Sequence, residues 1–294
     1  MSARRSLGVG VVALPLLPLL PLLPLLALLA LASVTSAAGC GGGSPLLHPA
    51  RTLPAGDIRV AGGVSANVAA GSIGDDLKNA REISTKDPQA PGAPGSNPAY
   101  AKGALVAAAV APGLAPFIGA RVGVGNKLEG GLAYTGRGVR VDMRRGFDDG
   151  NVTYSIGLGL SAALYGRQSG TVLQNVDLGA LHGYGGDIPV LVGWESAGGI
   201  YKVWGGARGG VERVVVETLT SEPKEVTIGD ARLRLDANRY WVGPVVGLAT
   251  GFRHLHVALE LSAAYQTVQG NYNENKVTVR GVTLAPATAL WWTF

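Results

Sequence analysis

Nineteen residues at the end of the chain, 276–294, read KVTVRGVTLAPATALWWTF. Steps of two back from Phe294 give Trp292, Leu290, Thr288, Pro286, Leu284 and Val282. The interleaved set is Thr293, Trp291, Ala289, Ala287, Ala285, Thr283 and Gly281. One set is mostly bulky and apolar, the other mostly small. A period of two means a strand, because successive side chains point to opposite faces. Strands of soluble domains are usually shorter, about 3–10 residues. A strand that crosses a bilayer needs roughly 9–11 residues, with aromatic side chains where it meets the headgroups.

The same period recurs upstream, in 57–70, 117–125, 131–147, 152–165, 188–195, 200–217, 240–252 and 255–270. The cleanest case sets Val152, Tyr154, Ile156, Leu158, Leu160 and Leu164 against Thr153, Ser155, Gly157, Gly159 and Ser161. Segment 103–111 (GALVAAAVA) is read as a further strand, bounded by Pro112-Gly113, although its alanines also suit a helix. The count is ten strands, or eight if 57–70 and 103–111 lie outside the wall. Short turns at 112–113, 148–151, 196–199 and 253–254 are expected on one rim. Long connections near 71–100, 166–186 and 218–238 are expected on the other. Within 71–100, DDLKNAREI suits a short helix, and DPQAPGAPGSNP is Pro/Gly punctuation.

The terminal strand resembles the closing strand of bacterial outer-membrane β-barrels, whose last aromatic residue belongs to the signal read by the barrel assembly machinery. The resemblance implies an all-β fold, a transmembrane up-and-down antiparallel barrel over 57–294, in the outer membrane of a Gram-negative cell envelope. It gives Phe294, Trp292 and Leu290 the role of assembly signal. Its partners are then membrane lipid and the assembly machinery. Both termini would lie in the periplasm.

Composition agrees. Gly reaches 45 residues, charged residues are 15% and hydrophobic ones 47%, which suits walls that alternate aliphatic and small side chains. The formal charge of +5 falls to +3 without Arg4 and Arg5, leaving 23 basic residues against 20 acidic. No basic run or aromatic RNA-binding motif points to nucleic acid. One cysteine excludes a disulfide framework, and nothing asks for a metal or cofactor.

Residues 1–39 have a basic start, a long apolar run and small residues before Cys40, the pattern of a signal peptide. Pro15, Pro18, Pro21 and Pro24 recur every third residue and disfavour a permanent membrane helix. Ala37-Ala38-Gly39-Cys40 resembles a lipobox, the lipoprotein motif in which the cysteine is acylated, although Ala37 stands where the family prefers Leu. The resemblance implies lipidation at Cys40, with 40–56 a flexible tether. The alternative is ordinary cleavage after Ser36-Ala37-Ala38.

Alternation places Arg121, Arg140, Asp142, Arg144, Lys202, Arg208, Glu212 and Glu260 on the inward side. An eight-stranded interior is filled by side chains, and open channels need about sixteen strands. A paired, polar filling is therefore expected, with a narrow anion-preferring pore as the alternative. Trp194, Trp204, Trp241, Trp291 and Trp292 suit aromatic girdles. A lipid-anchored soluble barrel binding a hydrophobic ligand would invert the faces, and the small, uncharged opposite face argues against it. Enzymatic activity is not expected: His256 and Ser262 share a face but stand roughly 20 Å apart at about 3.3 Å per residue. The sequence thus points to a structural or surface-binding scaffold acting through extracellular loops.

Overall fold

The computed structural model describes residues 43–86, 97–164, 173, 181–218, 233–273 and 275–294. Residues 1–39, Cys40 and much of the expected loops lie outside the described residues. Ten antiparallel strands close into a barrel: β1 (Ile58–Ala70), β2 (Gly113–Gly125), β3 (Leu128–Tyr134), β4 (Gly138–Asp149), β5 (Val152–Ala163), β6 (Leu181–Glu195), β7 (Tyr201–Thr218), β8 (Leu233–Phe252), β9 (Leu255–Tyr272) and β10 (Asn275–Thr293). Each pairs with its neighbours in sequence, and β1 pairs with β10 to close the ring, Arg59 opposite Thr293 and Ala70 opposite Val282.

Ten strands were expected, but two of the expected elements differ. Segment 103–111 is not a wall strand. It belongs to helix α2 (Pro98–Leu105) and a π-helical segment (Val106–Val110), buried on every side. Alanine is the best helix former, and small side chains all round suit a narrow space. Residues 131–147, read as one strand, fall in two, β3 and β4, which reverse at 135–137, where Gly136 has φ 86°. The two differences cancel in the count.

They also move the rims. Asn126-Lys127 lies with 150–151, 196–200 and 253–254 on the rim that holds Ile58 and Thr293. Pro112-Gly113 belongs to the opposite rim, with the long connections. The former is called the turn rim and the latter the loop rim. Asn126 and Lys127 both have positive φ (51° and 60°), the geometry of a two-residue hairpin turn that follows the strand twist. Two long connections are shorter than expected, since β6 starts at Leu181 and β8 at Leu233, and the first is longer, since β2 starts at Gly113.

Side-chain alternation sorts the wall as the sequence indicates. Ile118, Val141, Leu158, Leu160, Val242 and Leu290 are among many large apolar residues exposed outside. Near the turn rim, Phe147, Tyr154, Trp194, Tyr201, Phe252 and Trp292 form an exposed aromatic belt. Tyr184 and Tyr240 stand outside near the other rim. Twelve steps along β8 separate Tyr240 from Phe252. At about 3.3 Å each and a tilt of about 40°, the height is roughly 30 Å, the thickness of a bilayer's hydrocarbon. Trp204 and Trp291 are not part of a belt; both are buried inside.

The wall is tall at β7–β10 (18–20 residues per strand) and low at β1–β5 (7–13 residues). Helix α1 (Ser72–Lys86) and helix α2, inserted between β1 and β2, lean on the inner side of the tall part. The expected helix at DDLKNAREI is thus present and longer. Its Ile73, Leu77, Ala80 and Ser84 recur on one face and are buried. Asn97 caps α2 by accepting from Ala99 N at 3.0 Å, and Pro98 stands in its first turn, where its missing N–H costs nothing.

The largest departure is at the other end. Residues 43–54 are not an exposed tether: Leu46, Leu47, His48 and Ala50 are buried inside the barrel. Wall glycines make the room. A Cβ at Gly123 would fall on the Pro54 carbonyl oxygen, and one at Gly193 would meet Ala50. Gly123→Val therefore overpacks the segment at about 1–3 kcal/mol. It is expected to lower, by several degrees, the temperature at which the folded, fast-migrating gel band is lost. Gly130→Val, whose Cβ meets nothing within 4 Å, is expected to leave that temperature unchanged.

Candidate functional site: the filled lumen

From the turn rim the chain passes Pro54 and runs into the lumen as far as Gly43, which lies against Ala66 and Ala285. Its backbone meets no sheet partner there, so each polar group needs another one. Side chains from the wall supply them. Glu260 accepts from Leu46 N and Leu47 N, both at 2.7 Å, and from Trp204 Nε1 at 3.3 Å. Glu129 accepts from Leu53 N at 2.8 Å. Arg144 donates to the carbonyls of Pro49, Ala50 and Arg51, and Arg208 to that of Ser44. Ser65 Oγ donates to Gly43 O at 3.1 Å.

The same charges pair with one another across the barrel. Glu129, fully buried, lies between Arg121 and Arg144, the latter at 2.8 Å. Asp142 takes Arg121 and Arg140. Asp187 takes Arg140 and Arg208, each through paired N–H groups at 2.9 Å. Planar forks on carboxylates are the strongest form of such pairs. Higher in the lumen, Glu212 lies between Arg137 at 2.6 Å and Arg239 at 2.9 Å. These two arginines also donate to Ala108 O and Ala109 O, and Asn67 to Val110 O. Asn67 on β1, Arg239 on β8 and Arg137 in the β3–β4 turn thus hold the end of the π-helical segment, and it turns out of its helix at Ala111 (φ 50°).

The lumen is therefore filled in two layers. Leu46, Leu47 and Ala50 pack with Phe117, Leu191, Trp204 and Trp291 on the turn-rim side. Tyr100, Leu105 and the π-helical segment pack with Leu181, Leu235, Val268 and Tyr272 on the loop-rim side. Between them remains a cavity of about 110 Å³ lined by polar and charged groups.

The structure brings Arg121, Arg140, Asp142, Arg144 and Arg208 into one network. Arg208 and Glu212, two inward steps apart, do not pair with each other. Glu212 belongs to the upper group, and Glu260 has no ion-pair partner among the described residues; it serves the inner segment instead. Lys202 pairs with Glu195 at the turn rim. Four partners were not foreseen: Glu129, Arg137, Asp187 and Arg239. Asp187 was legible, since inward parity runs back from Leu191 and Pro189 onto it. Glu129 lies between the strands expected at 117–125 and 131–147, and Arg239 between the expected connection 218–238 and the strand expected at 240–252.

Leu290, Trp292 and Phe294 stand on the outside near the turn rim. Phe294 N donates to Ile58 O at 2.8 Å, and the Trp292 ring stacks on His254 at 5.8 Å. His48, within the segment expected to be a tether, is buried, its Nδ1 3.3 Å from Pro49 O. Among the described residues no group of three or more His, Cys, Asp or Glu could hold a metal. His256 Nε2 lies 3.0 Å from Gly199 O, a backbone contact far from Ser262.

No protein-family model matches the chain, and no curated protein matches it. Solved structures give remote similarity. Neisserial surface protein A (NspA) is 10% identical over 81% of this chain and 99% of its own, with a TM-score of 0.31. The N-terminal β-barrel domain of Pseudomonas aeruginosa OprF is 9% identical over 82% and 100%, with a TM-score of 0.28. Ail, the attachment invasion locus protein of Yersinia pestis, is 8% identical over 82% and 99%, with a TM-score of 0.27.

Removing one partner of a buried pair costs about 3–5 kcal/mol, because the other charge is left alone. Glu129→Ala abandons two arginines and the Leu53 N–H, and is expected to destabilise at least that much. Glu260→Gln keeps one acceptor oxygen and abandons one N–H, a loss of about 1–3 kcal/mol. Guanidinium unfolding of the refolded barrel in detergent measures both, and Glu129→Ala should be the worse.

Proposed function

We propose that the protein is an integral barrel of the bacterial outer membrane with a closed lumen, a scaffold whose working surface is the loop rim. The turn rim faces the periplasm in this reading. The observation that carries it is the double filling: a peptide segment and a helical insertion occupy the interior in series, each bonded to wall side chains. A pore would require both to move. The exposed apolar band and its aromatic belt favour a lipid-facing exterior over a soluble barrel that binds a hydrophobic ligand within. Expected partners are membrane lipid, the assembly machinery acting on the strand that carries Phe294, Trp292 and Leu290, and a surface ligand at the loop rim.

The purified protein in a planar bilayer is expected to be silent. Steady conductance steps whose ion selectivity changes in Arg208→Ala would overturn the closed barrel and favour the anion-preferring pore.

The seated segment also bears on Cys40. Cys40 precedes Gly43 by three residues, a reach of at most about 11 Å, and Gly43 is enclosed by the wall. Acyl chains on Cys40 would have to reach the bilayer while the chain stays in the lumen. We therefore favour ordinary cleavage and an unacylated cysteine over the lipoprotein reading of the lipobox-like residues. Mass spectrometry of the mature N-terminal peptide decides; a diacylglyceryl Cys40 would require the segment to leave the lumen.

A further inference from the structure

The cavity between the two fillings is lined by Arg137, Arg140, Arg208 and Arg239, against Asp187 and Glu212. The imbalance extends through the whole central network among the described residues. Arg121, Arg137, Arg140, Arg144, Arg208 and Arg239 share only Glu129, Asp142, Asp187 and Glu212. Glu260, the remaining carboxylate at this depth, is committed to two backbone N–H groups and Trp204. Even if its charge is counted, the lumen holds a net positive charge away from water. An uncompensated buried charge is costly, and arginine does not relieve it by giving up its proton.

The surplus is concentrated at the cavity. Arg140 and Arg208 are almost fully buried there. The guanidiniums of Arg208 and Arg239 lie 4.9 and 5.9 Å from the ring of Trp241, which also lines the space. Arg137 spends one N–H group on Ala108 O and one on Glu212, and Arg239 spends only Nε and NH1. Their remaining donors have no partner among the described residues. A volume of about 110 Å³ would take three or four waters at roughly 30 Å³ each, or one tetrahedral oxyanion. Ser161, Ser262 and Thr283 add hydroxyls to the lining.

We propose that this cavity is a binding site for a single small inorganic oxyanion of the sulfate or phosphate class, held by Arg137, Arg140, Arg208 and Arg239. Several remaining arginine N–H groups suit an ion with several oxygens better than a halide. The anion supplies the charge that the wall lacks and ties the two fillings together, since Ser44 of the inner segment and Val110 of the helical insertion line the same space. It enters while the barrel closes.

The inference rests on the lumen being closed, and its test is separable from the test of that reading. The full chain is refolded in detergent with selenate, washed into selenate-free buffer and crystallised. One anomalous selenium peak within reach of the four guanidiniums is expected. In solution, refolding with sulfate at constant ionic strength should raise the melting temperature with saturation at millimolar concentration. Sulfate strengthens burial in most proteins without binding, so the informative result is saturation and its loss. Arg137→Gln should shift the half-saturating concentration upward at least tenfold while the folded gel band persists. Arg145→Gln, whose side chain faces outside over Phe147, should leave it unchanged. An empty or water-filled cavity with no saturable response would overturn the site in a barrel that is still silent in bilayers. Steady conductance with the peak present would instead overturn the closed lumen alone.

Discussion

A polypeptide segment inside a barrel has no strand beside it and little water to solvate it, and the rest of this interior depends on how that need is met. Glu129, Glu260, Arg144 and Arg208 give residues 43–54 the hydrogen bonds that a sheet would otherwise provide. Charged groups are suited to the task because their bonds to backbone are about twice as strong as neutral ones. Glu129, Arg144 and Arg208 are held there by charges of opposite sign, and Glu260 by the N–H groups it accepts from. The ion pairs and the inner segment therefore belong to one construction, in which neither part is satisfied without the other.

The width of the wall explains why such a filling is needed. Eight strands leave an interior that side chains fill unaided, and ten leave more. On the turn-rim side the inward residues are often Gly or Ala, as at Gly123, Gly193, Ala258 and Ala289, so the wall's own side chains leave the space open. A backbone fits there, and large side chains, Trp204 and Trp291, close what remains at 5.9 Å from each other. On the loop-rim side the wall carries Leu181, Val214, Leu235 and Val268 instead, and it meets helices with apolar faces. Small wall residues accompany an extended filling; large apolar ones accompany a helical filling.

The wall was legible from sequence because its signal is local. Each strand repeats every two residues, and its outward side is mostly apolar. The filling was less legible because its determinants are not in its own side chains. Residues 43–54 read as a tether, since Gly43, Pro45, Pro49 and Pro54 break every period, and the wall recognises their backbone rather than their side chains. Segment 103–111 read as a strand because alanine carries no face. The charge network was half visible: Arg121, Arg140, Asp142, Arg144 and Arg208 lie within clear alternation. Asp187 stands one residue before the strand expected at 188–195, although the parity of Leu191 and Pro189 runs back onto it, and Glu129 and Arg137 flank turns.

The position of the two fillings along the chain constrains how the barrel can close. The inner segment directly precedes β1, and the helical insertion directly follows it. Strand β1 pairs with β2 and with β10, the strand farthest from it in sequence, so the β1–β10 seam requires the rest of the wall to be near completion. Both fillings are tethered to the strand that shuts the ring. Each hangs from one end of β1, so forming the seam brings each to one mouth of the barrel. The wall groups they need come from β3, β4, β7, β8 and β9, through Glu129, Arg144, Arg208, Arg239 and Glu260. Closure therefore comes after the network's strands have been laid side by side. A barrel without its fillings leaves guanidiniums and carboxylates without the backbone partners that this arrangement provides.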